Sequence, residues 1–506
     1  MIELKTWLES PPVDGRPWLV LGKGPTFGRR AEFPLDDYQL LSLNHVVREL
    51  PVTIAHMIDI DVAAACGDAL TKNCRFLVMP RYPHVDHRAD VSRPLESFFD
   101  TVPALRVLDE QGRLVWYNLR NNKKSPLVGN DSILSARYFS SEAALELLGV
   151  LGAKRVRSLG IDGGHNYGAA FRDLAGTTRL ANGQPSFDLQ FGELDRIVEQ
   201  YGIDYAPLIP PMRVFVGVDE TQMVPTRVLE YSIRKHTPMP VRVTPMLNVP
   251  VPIPKEPRNR PRTGFSFCRF LIPSLCGHRG RALYVDSDMQ VFTDLEELWR
   301  IPFGDRKVLC TYQKEPPQAW RNTQVNFKPG RQMSVMMLDC ERLPWRIEDI
   351  VRGLDDGAYT YEQLMFDLCL VRPDEIGDDL PPEWNCLEHY EPESSKLLHY
   401  TVVDTQPWRN DRNPLGEVWM DCYREAVAAG AVPFDEVADG VARGWLKPAL
   451  LDAFPQRLRT NGTDAAPAGS APSSPTVLRP QPSGWAQRVR SALRGWFRNR
   501  DVATRR

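Results

Sequence analysis

The chain has 506 residues, 42% of them hydrophobic and 25% charged, with a formal net charge of −2. That length exceeds what one hydrophobic core usually holds, so roughly two or three domains are expected. The near-neutral balance argues against a nucleic-acid partner, and no apolar run approaches the ~18 residues of a membrane-spanning helix. Nine cysteines include no CxxC pair, the pattern of buried free thiols in a reducing compartment. The opening "MIELKTWLES" lacks the basic and apolar regions of a signal peptide, so a cytoplasmic location is expected.

In chain order, "PWLVLGKGPTF" reads as a buried strand entering a Gly-Pro turn, and "YQLLSLNHV" and "RFLVMP" read as further strands. "SSEAALELLGVLGAKRVRSLGID" reads as a helix, stopped near Gly152, followed by a strand. Strands alternating with helices imply parallel βαβ units and a doubly wound sheet. This first domain, residues 1–211, should close at the prolines of "YAPLIPP". The strand "RVFVGVDE" and helix "MVPTRVLEYSIRKHT" open a second α/β domain, residues 212–455, with later strands in "ALYVDSDMQVF", "KVLC" and "QMSVMMLDC". Between them, the proline- and arginine-rich "VPVPIPKEPRNRPRTG" reads as a loop. Residues 456–484 have the composition of a flexible linker. Beyond it, residues 485–506 read as a basic amphipathic helix, with Trp485, Val489, Leu493, Trp496 and Phe497 on one face. Seven arginines against the single Asp501 give that segment +6, suited to an anionic membrane surface at the inner face of the cytoplasmic membrane.

The chemistry-bearing motif is "RALYVDSDMQVF". In extended backbone, Asp286 and Asp288 point the same way, so two hard oxygen donors at a strand end can grip one divalent cation. A nucleotide-sugar reaction uses such a cation to neutralise a diphosphate leaving group. Alone, Asp-x-Asp is more often a solvated turn.

Its surroundings extend the argument. From Arg213 to Trp408 the sequence resembles family-8 glycosyltransferases, which implies a GT-A type fold, a second Rossmann-like domain. The blocks carrying the resemblance are "VFVGVDETQMVPTRVLEYSIRKHT", "FCRFLIPSLCGHRGRALYVDSDMQVFTDLEELW", "TYEQLMFD", "PPEWNCLEHY" and "LLHYTVVDTQPW". The resemblance implies Gly217, Val218, Asp219 and Gln222 near a uridine, and Arg269 facing the nucleotide. It places Asp286, Ser287, Gln332 and Gln406 around the donor, and Glu362 and Gln363 beside the transferred sugar. His399 would be the third metal ligand, completing a set suited to Mn²⁺ or Mg²⁺. Glu362 fits a helix cap equally well. A UDP-sugar donor, a glycan or lipid-linked acceptor in bacterial surface polysaccharide synthesis and retention of anomeric configuration are what this resemblance implies.

Three departures stand out. The family's Asn-Ala-Gly is Gln332-Met333-Ser334, its phosphate-holding lysine is Gln406, and the glycine of its closing motif is a valine, Val402 or Val403. Arg262, Arg269 or Arg409 would then supply charge to the diphosphate.

In the first domain, "LVLGKGPTF" with "YFSSEAALELLGVLGAKRVRSLGIDGG" resembles the Rossmann-like domain of family-42 sialyltransferases and archaeal-type hydroxymethylpterin diphosphokinases. That implies a nucleotide site at Gly22, Gly24, Pro25, Thr26, Asn44, Ser140, Ser141 and Asp162. Backbone N–H groups of the Gly22–Thr26 loop would cradle phosphate. His165 is either a base or a plain loop histidine. Two rival readings remain open: a CMP-sugar transferase in the first domain with the second accessory, or a glycan-binding scaffold without turnover.

Overall fold

The computed structural model describes residues 1–11, 13–90, 92–120, 132–174, 186–316 and 329–455. The expected linker (456–484) and basic helix (485–506) lie outside the described residues. Among the described residues no helix is long and apolar enough to cross a membrane. Chain contacts separate one compact unit at Met1–Pro211 from a second that begins at Met212.

The first unit is built on a nine-stranded sheet. Its strands are β1 (Ile2–Glu3), β2 (Trp18–Leu21), β3 (Gln39–Leu43), β4 (Val52–His56) and β5 (Cys74–Pro80). A two-stranded hairpin, β6 (His84–Val85) and β7 (Arg88–Ala89), stands apart from it. The sheet continues with β8 (Leu114–Arg120), β9 (Ile133–Ser135), β10 (Arg155–Leu159) and β11 (Asp204–Pro207). The order is β1-β8-β5-β4-β3-β2-β10-β11, with β9 also on β8, and every pairing in it is parallel. Chain order runs outward from β2 to β8 and returns to β10 on the other side of β2. That reversal is the switch point at which open parallel sheets form their crevices.

Alternation along the strands explains why both faces are covered. Trp18 and Val20 face a core shared with Ala143, Leu147 and Ile197 of the helices Ser140–Val150 and Gln190–Tyr201. Leu19 and Leu21 face the opposite core with Phe27 and Phe171. Five strands of this sheet, β1, β4, β8, β9 and β11, are not among those read from the sequence, and β4 and β8 are the central ones. Both are short apolar segments whose partners lie far along the chain, so no local period announced them.

The second unit has two sheets. The larger contains β12 (Met212–Gly217), β13 (Val241–Pro245), β14 (Arg281–Asp286), β16 (Val308–Gln313), β17 (Gly330–Asp339) and β18 (Ile376–Gly377), in the order β13-β12-β14-β17-β16-β18. Here β13, β12 and β14 run parallel, while β17 is antiparallel to both β14 and β16. The smaller sheet is β15 (Met289–Val291), β20 (Leu397–His399) and β19 (Cys386–Leu387). "ALYVDSDMQVF", expected as one strand, is therefore two strands in different sheets. Asp286 ends β14 and Met289 begins β15, so the Asp-Ser-Asp sequence is the crossing between sheets. Within the block "PPEWNCLEHY", Trp384 and Asn385 sit on a 3₁₀ turn, Pro382–Asn385, just before β19. Proline at its first position, with no N–H to place in a ladder, favours that turn. The helix Met223–His236 and the loop around Pro257–Asn259 match expectation.

Candidate functional site

Register brings the carboxylates and the histidine together. Gly217 of β12 pairs with Asp286 of β14, and Met289 of β15 pairs with His399 of β20. The Tyr400 N–H, one residue on, donates to the Asp288 carbonyl at 2.8 Å. As a result Asp286, Asp288 and His399 each offer an atom within 4.8 Å of the others, a group able to hold a metal ion.

Each member is held from behind. The Tyr284 hydroxyl donates to Asp286 Oδ1 at 2.6 Å, and Arg269 Nη2 lies 3.7 Å from the same oxygen. Among the described residues no donor reaches the second Asp286 oxygen. Gln406 Nε2 donates to Asp288 Oδ2 at 3.1 Å and to the Tyr400 carbonyl at 3.1 Å. His399 Nε2 lies 3.2 Å from Asp288 Oδ1, and its Nδ1 lies 3.1 Å from Asn385 Oδ1. Burial pushes the Asp286 carboxyl up, opposed by the Arg269 guanidinium. Burial works against charge on His399, but Asp288 and Asp286 outweigh it, so its pKa is raised.

Gly217 has a local reason to be glycine: a Cβ there would overlap the Tyr284 hydroxyl that reaches Asp286. Tyr284 was missed in the sequence, although a residue two before Asp286 on one strand shares its face.

Other expected site residues land less simply. Val218 is buried, so only its backbone is available to a ligand. Asp219 Oδ1 accepts from the N–H and hydroxyl of Thr221, at 2.9 and 2.6 Å, capping the turn Glu220–Gln222. Ser287 is buried and its hydroxyl donates to Gln222 Oε1, so these two face each other. Arg269 is buried, donates to the Met333 carbonyl and Tyr284, and leans on Asp286. Gln406 is fully buried and its Nε2 donates to Asp288 Oδ2. Arg409, three residues on, is exposed, and nothing among the described residues engages its guanidinium. Gln332 lies on β17 opposite Thr311.

Gln363 forms a capping box. Its Oε1 accepts from the Thr360 N–H at 2.8 Å, and Thr360 Oγ1 accepts from the Gln363 N–H at 3.2 Å, starting the helix Tyr361–Met365. Two orphan donors are thereby satisfied, which is a structural role. Glu362 is exposed and pairs with Arg262 Nη2 at 3.0 Å.

In the first unit, Gly22, Gly24, Pro25, Thr26 and Asp162 do meet at the ends of β2 and β10, but not as a phosphate cradle. The Gly22 N–H donates to Leu159, the Gly24 N–H to Gly160, and the Thr26 N–H to Asp162 Oδ2, all within 2.7–2.8 Å. Those donors are engaged already. A Cβ at Gly22 would overlap the Gly160 carbonyl, so close approach of two loops explains the glycine. Asn44, at φ 54°, donates through Nδ2 to Ser140 Oγ at 3.1 Å. Ser141 is buried with its hydroxyl on Gln190, and His165 sits exposed in a loop. The same end of the sheet carries two features not foreseen. Lys23 Nζ lies 3.3 Å from the Tyr167 hydroxyl, with its pKa lowered by burial to about 8, and Asp59 Oδ1 lies 3.4 Å from His87 Nδ1.

Residues 227–350 match the model of Glycosyl transferase family 8. The second unit carries a family-8 glycosyltransferase domain. That domain makes the chain a glycosyltransferase. Its curated relative Protein CDI of Arabidopsis thaliana is 26% identical over 228 residues, 42% of this chain and 82% of that protein. Among solved structures, the apo WbbM bifunctional glycosyltransferase aligns with 54% of this chain and 61% of its own, at 13% identity and TM-score 0.33. The galactosyltransferase LgtC in complex with donor and acceptor sugar analogues aligns with 44% of this chain and 96% of its own, at 12% identity and TM-score 0.32.

Proposed function

We propose that the second unit transfers a sugar from a UDP-sugar to a glycan or lipid-linked acceptor, with Mn²⁺ or Mg²⁺ held by Asp286, Asp288 and His399. The observation that carries this reading is the convergence of two carboxylates, Asp286 and Asp288, which lie inside the family-8 match at 227–350, with the His399 imidazole from beyond it. The donor set fits the ion: two hard oxygens and one nitrogen, with one Asp286 oxygen left without a protein donor. A cation there would neutralise charge developing on the departing diphosphate.

The chain's own residues then divide the work. Tyr284 and Arg269 fix Asp286, and Gln406 fixes Asp288. Arg409 offers a free guanidinium for diphosphate oxygens. Glu362 and Arg262 are exposed and paired with each other, available to an acceptor.

Thermal shift with UDP and UDP-sugars, with and without Mn²⁺, tests the reading, followed by assay of nucleotide release. Metal-dependent stabilisation and UDP release are expected. CMP release without UDP release would move the chemistry to the first unit, and neither would leave a binding scaffold. The basic segment 485–506 we propose as a peripheral membrane tether. Full-length protein should float with anionic vesicles and less so at high salt, and a chain ending at Pro455 should not.

A further inference from the structure

The metal group rests on a polar bracket that nothing above assigns. Between β16 and β17 the register breaks: Cys310 pairs with Met336, but Thr311 pairs with Gln332. Met333, Ser334 and Val335 are therefore extra residues on β17 relative to β16, an irregularity of the kind that re-aims side chains beside active sites. Two of them reach toward the metal group. The Met333 carbonyl accepts from Arg269 Nη1 at 2.8 Å, and Arg269 leans on Asp286. The Ser334 hydroxyl lies 3.1 Å from Asn385 Nδ2, which also reaches Thr311 Oγ1 at 3.3 Å. Asn385 is buried, and its Oδ1 lies 3.1 Å from His399 Nδ1. The following strand locks this placement, because Leu387 of β19 pairs with His399 of β20.

A neutral imidazole carries its proton on one nitrogen only, and a fixed acceptor at that nitrogen leaves the other with a bare lone pair. With Asn385 Oδ1 toward Nδ1, the proton stays on Nδ1 and the Nε2 lone pair faces Asp286 and Asp288. With the amide reversed, the proton moves to Nε2 and His399 becomes a donor to Asp288, unable to bind a cation. Thr311 and Ser334 stand at the Nδ2 end of the amide. Ser334 occupies the Gln332-Met333-Ser334 segment in which this chain departs from the family sequence.

We infer that Asn385 is a positioning residue that sets the His399 tautomer for metal binding, with Ser334 and Thr311 holding the amide in the competent orientation. This rests on the proposed cation site. Outer partners of metal-bound histidines commonly change metal affinity by roughly 10- to 100-fold.

The test is Mn²⁺ binding to the full-length protein by titration calorimetry without any nucleotide, alongside melting curves. Asn385→Leu, which keeps the volume and removes the acceptor, should weaken Mn²⁺ binding by at least about tenfold. Asn385→Asp restores an acceptor and should bind within about threefold of wild type, the pattern of carboxylate–histidine–metal arrangements. Equal affinity for Asn385→Leu and wild type would overturn the inference. So would an Asn385→Asp protein that melts normally yet binds as poorly as Asn385→Leu. Should Asn385→Leu not fold, the pair Thr311→Val with Ser334→Ala decides: weakened binding supports the bracket, and unchanged binding rejects it. A wild-type protein with no affinity for Mn²⁺ or Mg²⁺ sinks the cation-site reading itself, a distinct result.

Discussion

Asp162, three residues beyond β10, and Asp286, the last residue of β14, are carboxylates near a strand end in each unit, and their surroundings differ in a way that separates structure from chemistry. Both Asp162 oxygens accept from Thr26, through its N–H at 2.7 Å and its hydroxyl at 2.6 Å, and Thr26 Oγ1 in turn accepts from the Gly160 N–H at 2.6 Å. That carboxylate is a clasp between two loops. Asp286 has a single oxygen engaged, by Tyr284 and Arg269, and the other converges with Asp288 and His399. Asp162, with each oxygen already holding a Thr26 donor, stabilises the fold. A carboxylate that is oriented but left partly unfilled is prepared for a ligand.

The strongest way to break this comparison is to neutralise each carboxylate in turn. Asp286→Asn and Asp288→Asn should each lower UDP-sugar turnover by about 10²–10³-fold with the melting temperature nearly unchanged. Asp162→Asn should do the reverse, lowering the stability of the first unit and leaving UDP-sugar turnover near wild type. Turnover retained in both site variants would remove the metal assignment.

A second effect is pH-dependent. Burial lifts Asp162 from 3.8 to about 6, and lifts Glu142, which accepts from the Arg137, Tyr138 and Phe139 N–H groups, from 4.5 to about 7. Both folded-state values lie above the unfolded ones, so the folded unit binds more protons between them. The stability contribution is complete below about pH 4 and is lost as pH rises through about 6 to 7. Each group contributes on the order of 3 kcal/mol. Chemical denaturation at pH 4.5 and 8 should show this loss in the first unit, and Asp162→Asn and Glu142→Gln should flatten the profile.

Smaller again is the effect of the close loop approach. Gly22→Ala forces a Cβ onto the Gly160 carbonyl and should destabilise the first unit by about 2 kcal/mol. Gly217→Ala crowds the Tyr284 hydroxyl instead, so its signature should be weaker Mn²⁺ binding more than lower stability. If Gly22→Ala proves neutral in stability but alters nucleotide binding, the first unit's loop is a ligand loop after all.

The smallest expected effect separates a cap from a catalytic group. Gln363→Ala should cost about 1 kcal/mol through its capping box and change turnover less than threefold. A loss of turnover at unchanged stability would return Gln363 to the chemistry.

The apolar runs of β2, β3, β5, β10, β12, β14 and β17 and the helices Ser140–Val150 and Met223–His236 were legible because hydrophobic period and turn residues are local signals. Asp286 and Asp288 were legible for the same reason, being two residues apart at the end of an apolar run. His399 was placed by resemblance, and register explains it: it sits opposite Met289, more than a hundred residues earlier.

What the sequence determined by itself was the two α/β units, the family-8 character of the second and the residues able to ligate a cation. Tertiary structure alone decided which polar groups remain available. Gln406 turns inward to Asp288, Gln363 caps its helix, the Gly22–Thr26 donors close on β10, and Ser334 reaches Asn385 through a break in strand register. The reason is that a side chain's hydrogen-bonding capacity is limited, and its partners are chosen by neighbours that only the folded chain supplies.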